Sequence, residues 1–425
     1  MKLWHKVILG LLLGIAFGFA VGGLPADNPL GIDGKEFLTT YIKPIGTVFI
    51  NLIKMVVVPL IFFALLYGIT NMTDAAAFKR VGTKAVGAYL FTGAFAVCIG
   101  LTFGEVFRPG SGVDLAELQQ MTGAAASVPK ATEQPSIITM LVGMVPTNII
   151  KAMADDHVLQ IVVFAIFLGM TLNAMREKAQ TVINVIHECA HVVFRLIETI
   201  VKFSPYGVFA LISWVVGTQG FGILIALAKL AVVVFGALLT QYLLFGLLII
   251  VFGRMSPMPF YKKMLEPQSI AFSTSSSKAT LSTAMRVVNE RMGVSQANTN
   301  FVLPLGASIN MDGTAIYLGI TALFFSQLYS IPLDTHHYFI LILTATLGSI
   351  GAAGIPGGSL IMMGMVFTSV GLPLDGIALI AGIDRILDML RTTVNITGDS
   401  VITMLVDKSE GGFDRLQYEK MDVEE

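Results

Sequence analysis

A stripe of charged and amide side chains, Asp384, Asp388, Arg391, Asn395 and Asp399, lies inside the last long apolar stretch of the chain, roughly residues 372 to 405. The steps between them are four, three, four and four residues, so on a helix they share one face. Leu, Ile, Ala, Met and Val occupy much of the remaining surface. A charge at a bilayer centre costs about 2.5–3.5 kcal/mol even on lenient insertion scales, so four charges facing lipid would cost on the order of 10 kcal/mol. The stripe must face protein, ions or a polar solute. It reads as a binding site held inside a membrane protein.

The membrane reading rests on composition as well. The 425 residues are 55% hydrophobic and 13% charged, about half the charge share of a soluble domain. Many runs reach the roughly 20 apolar residues that cross a bilayer. We therefore expect an all-α polytopic membrane protein. A net charge of −1 gives no field that would attract nucleic acid. Cys98 and Cys189 stand in separate apolar segments, which argues against a disulfide framework or a cysteine metal cluster. Lys2 and Lys6 before the apolar run from Val7 imitate a signal peptide. That run is longer than a usual signal core and many spans follow, so it reads as the first helix.

Full spans are expected near 3–23, 41–69, 82–107, 137–175, 180–216 and 221–253. The segment from Pro109 to Ser136, with Gly110, Ser111, Asp114, Ser127 and Pro129, reads as an exposed connection. After Arg254 the pattern changes. Residues 256–293 hold an apolar stretch interrupted by Ser273-Thr274-Ser275-Ser276-Ser277, and residues 334–370 hold another interrupted by the Gly-rich run Gly348 to Ser359. Each is followed by a helix carrying Asn, Asp and Gly in its apolar middle, at 310–314 and at 395–399. Two broken, small-residue-tipped segments in matching places point to duplicated halves around a midplane site. Such tips leave amides and carbonyls that a solute or ions can satisfy.

Lys and Arg set the orientation. With the first residue cytoplasmic, the inner loops collect Lys79, Arg80, Lys84, Arg176, Lys178, Arg254, Lys262, Lys263, Arg286, Arg291, Lys408 and Arg415. The clearly outer loops hold Lys35, Lys43, Arg108 and Lys130. This asymmetry requires both interrupted segments to be hairpins, one entering from each side. It places the chain in the cell (inner) membrane as a multi-pass protein with both termini cytoplasmic.

Four motifs in order now carry a resemblance: the tip Ser275-Ser276-Ser277, the run Asn310-Met311-Asp312-Gly313-Thr314, Gly-Ile-Pro-Gly-Gly at 354–358, and the block from Gly382 to Asp399. Over nearly the whole chain they resemble the glutamate/aspartate transporters, the dicarboxylate/amino acid:cation symporters. The resemblance implies eight transmembrane helices and two re-entrant helical hairpins in a homotrimer, working as an elevator. It implies a scaffold in 1–70, a transport-domain helix in 71–108, scaffold and trimerisation helices in 109–220, the rest of the transport domain in 221–411, and a cytoplasmic tail in 412–425.

By the same resemblance Arg391 would pair with a side-chain carboxylate of the substrate and Asp388 with its ammonium group. Thr314, Thr392, Asn395, Ser276, Ser277, Ile355, Gly357 and Ser359 would add contacts. These roles agree with elementary chemistry, since Arg offers a planar fork to a carboxylate and Asp388 precedes it by three residues on one helical face. Two or three coupled Na⁺ ions are implied. One site would use Asp399, Asn310 and the carbonyls of Gly306 and Asn395. A second would use Asp312, Asn310, Tyr89 and Thr92, and a third the carbonyls of Ser308, Ser349, Ile350 and Ala352. Asp399 resembles the sodium-coupled branch, because proton-coupled relatives tend to carry Asn there.

This chain also departs from the pattern. Gly93 stands where sodium-coupled relatives usually have a hydroxyl, which leaves the ion count open. Lys278 replaces a small residue beside the first tip. Ser275 occupies the position of an archaeal Arg, while Arg385 appears as in the mammalian carriers. Ser359 stands where Gly is common.

Other readings compete. His187-Glu188-Cys189-Ala190-His191 matches the H-E-x-x-H zinc protease pattern. A catalytic zinc needs a third protein ligand, and no neighbouring span offers a convincing one. A channel would need rings of like groups around a pore, whereas these groups are asymmetric and of both signs. Gly10, Gly14, Gly18 and Gly22 form a small-residue ladder that allows close packing either within the subunit or between subunits. The expected activity is thus Na⁺-coupled uptake of L-aspartate or L-glutamate rather than an enzymatic reaction. A C4-dicarboxylate or cystine carrier, possibly driven by protons, is the alternative.

Overall fold

The computed structural model describes residues 3–24, 33–70, 78–111, 142–143, 145–155, 158–219, 221–352, 357–374 and 377–420. Every regular element among them is helical. The principal helices are α1 (Leu3–Gly22), α2 (Lys43–Met55), α3 (Val57–Thr70), α4 (Thr83–Phe107), α5 (Val158–Ala174), α6 (Arg176–Val201), α7 (Ser204–Gln219) and α8 (Phe221–Val251). They are followed by α9 (Met258–Thr274), α10 (Ser277–Arg286), α11 (Gln296–Ile309), α12 (Asp312–Leu328), α13 (Thr335–Gly351), α14 (Gly358–Ser369), α15 (Ile377–Glu410) and α16 (Arg415–Glu419). Among the described residues, Arg80–Phe107 and Leu224–Val251 are long and apolar enough to cross a membrane by length and composition, at 28 residues each.

Three expected spans are corrected: 137–175 holds separate helices at Ile149–Ala154 and Val158–Ala174 after a non-helical 145–148, and two more break in mid-span. The stretch 41–69 is two helices parted at Val56, and 180–216 is two helices parted at Lys202 and Phe203. The cause is the same in both. Pro59 and Pro205 lack an amide proton and stand in the first turns of the restarted helices, where no intrahelical bond is lost.

The glycine ladder of α1 lies against the backbone of α7. A Cβ on Gly14 would meet Phe209 O at 2.8 Å, and one on Gly18 would meet Ser213 O at 2.5 Å. These glycines therefore close an intrasubunit seam, and dispersion contacts along touching backbones hold it.

Both interrupted segments turn back on themselves. Between α9 and α10, Ser275 adopts φ +53° and the next residue caps α10, so Arg286 Nη2 reaches Glu266 Oε1 at 2.5 Å across the pair. Ahead of α14, its N-cap Gly357 has φ +78°. The hydroxyls of Thr344 and Ser369 meet at 3.3 Å across that pair. Both pairs pack on α15, and α12 runs through the middle with nearly every residue buried. The two polar runs differ, however. The chain leaves the helix at Asn310 and Met311, while α15 stays continuous through Asn395 to Asp399.

Candidate functional site

Arg391 is the centre of the larger polar cluster. It is fully buried, its Nη2 lies 3.0 Å from Asp388 Oδ1 and 2.9 Å from Asp384 Oδ1, and its guanidinium carbon sits 4.0 Å from the Tyr317 ring centroid. A buried cation of this kind persists only when paired, and helical spacing supplies both carboxylates from α15 itself. Its Nε and Nη1 have no hydrogen-bond partner among the described residues. Nε and Nη1 lie on different edges of the planar fork, so each can donate a single bond to a further acceptor.

Asp388 connects this centre to the second helix pair. Its Oδ2 accepts the amide of Gly357 at 3.1 Å and lies 3.8 Å from Arg385 Nη1. Arg385 in turn points Nη2 at Thr274 O, 3.5 Å away, in the turn of the first pair. Both turns and α15 therefore converge. Ser276 accepts the Ala279 amide and caps α10, while the buried hydroxyls of Ser277 and Ser359 have no partner among the described residues. Thr314 and Thr392 are buried nearby on α12 and α15. Ile355 lies outside the described residues.

The second cluster begins at the break between α11 and α12. Asn310 donates to Asp399 Oδ1 at 2.9 Å and accepts from Thr92 Oγ1 at 3.3 Å. Gln241 donates to Asp312 Oδ2 at 2.9 Å. The Gly313 amide, freed by the break, donates to Asn395 Oδ1 at 2.8 Å. Gly306 lets the groups crowd together, for a Cβ there would meet Tyr89 OH at 2.7 Å and Asp399 Oδ1 at 2.9 Å. The Tyr89 hydroxyl donates to Val302 O at 3.1 Å.

Asp312 and Asp399 are both 0% exposed, and Asp312 Oδ1 and Asp399 Oδ2 lack hydrogen-bond partners among the described residues. Buried carboxylate oxygens need a cation, a proton or a donor. The two unpartnered carboxylate oxygens, with the oxygens of Asn310 and Thr92 close by, suit a hard cation such as Na⁺, so the residues present fit that ion. At the end of α13, the carbonyls of Gly348 and Ser349 both accept the Ala352 amide, at 3.2 and 3.1 Å. The Ser308 hydroxyl bonds Pro304 O at 3.3 Å on α11, which packs against α13. Ile350 is the partly buried residue between Ser349 and Gly351.

Several participants carry no role in the sequence reading. Asp384 belongs to the stripe, yet its place beside Arg391 follows only from three-dimensional convergence. Tyr317 lies three residues after Thr314 and covers one face of the guanidinium. Gln241 was detectable as a lone amide within the long apolar α8. Met311 offers its sulfur to Asn395 Nδ2 at 3.3 Å. His187 and His191 pack around Tyr67, with ring centroids 4.8 and 5.4 Å away, and His187 Nε2 lies 2.9 Å from Thr70 Oγ1.

An apolar helical body enclosing a buried arginine and uncompensated carboxylates has the make-up of a membrane transporter. The chain belongs to the sodium:dicarboxylate symporter family, whose sequence model matches residues 3–409. It is 32% identical over 416 residues to the proton/sodium-glutamate symport protein of Bacillus subtilis (strain 168), covering 97% of this chain and 94% of that one. It is 33% identical over 428 residues to the proton/glutamate-aspartate symporter of Escherichia coli (strain K12), covering 99% and 95%. A C4-dicarboxylate transport protein of Azorhizobium caulinodans is 32% identical over 418 residues, covering 97% and 91%. The chain is therefore a membrane protein of a transporter family rather than an enzyme.

Proposed function

We propose that this protein is a secondary active symporter that couples inward Na⁺ movement to uptake of L-aspartate or L-glutamate. The observation that carries the reading is Arg391: fully buried, with two free donors, beside an acid of its own helix. A substrate carboxylate would accept from one of the unpaired donors and bridge an edge of the guanidinium once Asp388 releases Nη2. Its ammonium group would draw Asp388 away from Arg391, so the present ion pair would open around the zwitterion. Asp384 would remain to balance the guanidinium.

Two or three Na⁺ ions would enter as co-substrates. Asp399, Asn310, Gly306 and Asn395 would hold one, and Asp312, Asn310, Tyr89 and Thr92 another. Carbonyls of Ser308, Ser349, Ile350 and Ala352 would hold a third. Eight spans and two re-entrant hairpins, a homotrimer, and an elevator motion of residues 71–108 and 221–411 against 1–70 and 109–220 complete the proposal. Both termini would face the cytoplasm.

One observation favours a second reading, a C4-dicarboxylate carrier. Both oxygens of Asp388 already accept a bond, from Arg391 and from the Gly357 amide, so an ammonium group would have to share or displace one, whereas a dicarboxylate needs neither. Radiolabelled uptake into liposomes, with Na⁺, H⁺ and K⁺ gradients imposed separately, tests both. Sodium-driven accumulation of aspartate or glutamate, competed by neither succinate nor neutral amino acids, is expected. Succinate accumulation would transfer the assignment to the second reading, and accumulation driven by protons alone would remove sodium from it.

A further inference from the structure

The segment after α15 is tied into the base of the first helix pair by more bonds than a trailing tail requires. Gly411, at φ +80°, ends the helix and lets the chain turn back. Asp414 then donates its amide to Gly293 O at 2.8 Å. Gly293 has φ +74°, and a Cβ there would meet Asp414 O at 2.5 Å, so both conformation and space demand glycine. Tyr418 is fully buried and donates its hydroxyl to Ser256 O at 2.6 Å, just ahead of α9.

Lys263, on α9, closes the arrangement. Its side chain is buried, and its ammonium donates to Arg291 O at 2.8 Å, Gln417 O at 3.0 Å and Tyr418 O at 2.8 Å. An ammonium has three protons, and three carbonyls from two distant segments take them. The amide of Gln417 also bonds Glu290 O. On the last turns of α15, Asp407 accepts from the Ser295 amide at 3.0 Å, the Ser295 hydroxyl at 2.5 Å and Asn298 Nδ2 at 2.6 Å. The start of α11 is thus fastened to the last turns of α15, and the entry to α9 and the exit from α10 to the segment that follows it.

We propose that residues 411–420 form a clasp that holds the base of the first helix pair shut against α15. Separation of the pair from α15 is then confined to the far end, at Ser275 and Ser276. Arg391 and Asp388 on α15 move with the base of that pair as one body. The consequence for uptake rests on the transport reading given above, whereas the fastening itself does not.

Hydrogen exchange on the purified full-length protein tests the fastening. Lys263→Met removes all three ammonium bonds at nearly constant volume. At least tenfold faster exchange is expected across residues 287–295 and 414–420, with the α1–α7 seam unchanged. Tyr418→Phe deletes one hydroxyl and keeps the ring, so it carries the test if the first variant does not fold; a smaller, severalfold acceleration in the same segments is expected. Unchanged exchange in these segments, or acceleration spread equally over α1 and α7, overturns the clasp. In liposomes the same variants should lose at least half of the maximal uptake rate while half-saturation by substrate stays within twofold. Full maximal uptake with a loosened base would overturn the mechanical role. Absence of uptake in the wild type as well would instead count against the symporter reading and leave the exchange result intact.

Discussion

Gln241 holds one oxygen of Asp312 at 2.9 Å, and the other oxygen faces the empty side-chain position of Gly93, whose Cβ would stand 3.8 Å from it. A single amide on α8 thereby fixes the rotamer of a fully buried acid. The open oxygen lies beside Gly93, a residue with no side-chain oxygen to offer.

Gly93→Ser should strengthen sodium activation. The added Cβ would also lie 3.7 Å from Thr346 Cγ2, an ordinary contact, so the Cβ enters without displacing a neighbour. One more oxygen is worth on the order of 1 kcal/mol, about a fivefold lower half-saturating Na⁺ concentration. Uptake measured against external Na⁺ checks this. An unaltered sodium curve would mean that no coupled ion sits beside Asp312.

Arg391→Cys should abolish aspartate and glutamate uptake, because it removes the guanidinium that bridges Asp384 and Asp388. Breaking a buried pair from one side costs about 3–5 kcal/mol, so stability should fall as well. Arg391→Lys separates the two effects. It keeps the positive charge and most of the stability but loses the planar fork, and substrate affinity should drop by about a hundredfold, roughly 3 kcal/mol. Retained affinity in the lysine variant, read by substrate-induced thermal shift, would show that Arg391 serves only to neutralise its neighbours.

Gly18→Ala should destabilise the seam between α1 and α7 without touching the polar clusters. The new Cβ would meet Ser213 O at 2.5 Å and Ser213 Cα at 3.0 Å, and forced separation of packed backbones costs about 1–3 kcal/mol. Thermal unfolding in detergent should move downward while half-saturation for substrate stays the same. An unmoved unfolding temperature would mean that the seam gives way at no cost.

Asp334 gives a pH dependence outside the apolar body. Its carboxylate accepts the His337 amide at 3.0 Å, and the His337 ring reaches back to the Asp334 amide at 3.2 Å, a capping box on α13. The His337 backbone amide in the first place, and its ring in the second, hold this carboxyl below its ordinary value. Because the folded value is the lower one, the cap stabilises α13 above the ordinary carboxylate value of about 3.9 and is lost as pH falls through the folded value. Amide exchange at residues 335–338 should accelerate only under such acid conditions, and Asp334→Ala should bring that exchange to neutral pH. Equal exchange in variant and wild type at neutral pH would refute the capping role.

The polar stripe was legible because helical periodicity needs no partner to be read. The two turns were legible because serine and glycine runs have few other uses inside an apolar body. Partnerships across the chain were not legible. The Gly313 amide is capped by Asn395, 82 residues away, and no local pattern joins them. Nor did local pattern show that α15 would remain helical through Gly398 while the corresponding run at Asn310 opens. A Cβ on Gly398 would meet Asn310 Nδ2 at 2.8 Å, so a bare helix surface is required where the broken strand of chain presses against it. The restarts at Pro59 and Pro205 were written in the sequence but hidden by apolar residues on either side.

Tyr317 lids one flat side of the Arg391 guanidinium. Anything that binds this arginine must come in edge-on, within the plane of its nitrogens. A flat group with two oxygens meets that demand, whereas a phosphonate or sulfonate carries a third oxygen above the plane, where the phenol ring already lies. The aromatic neighbour thus screens anions by geometry before their charge is compared.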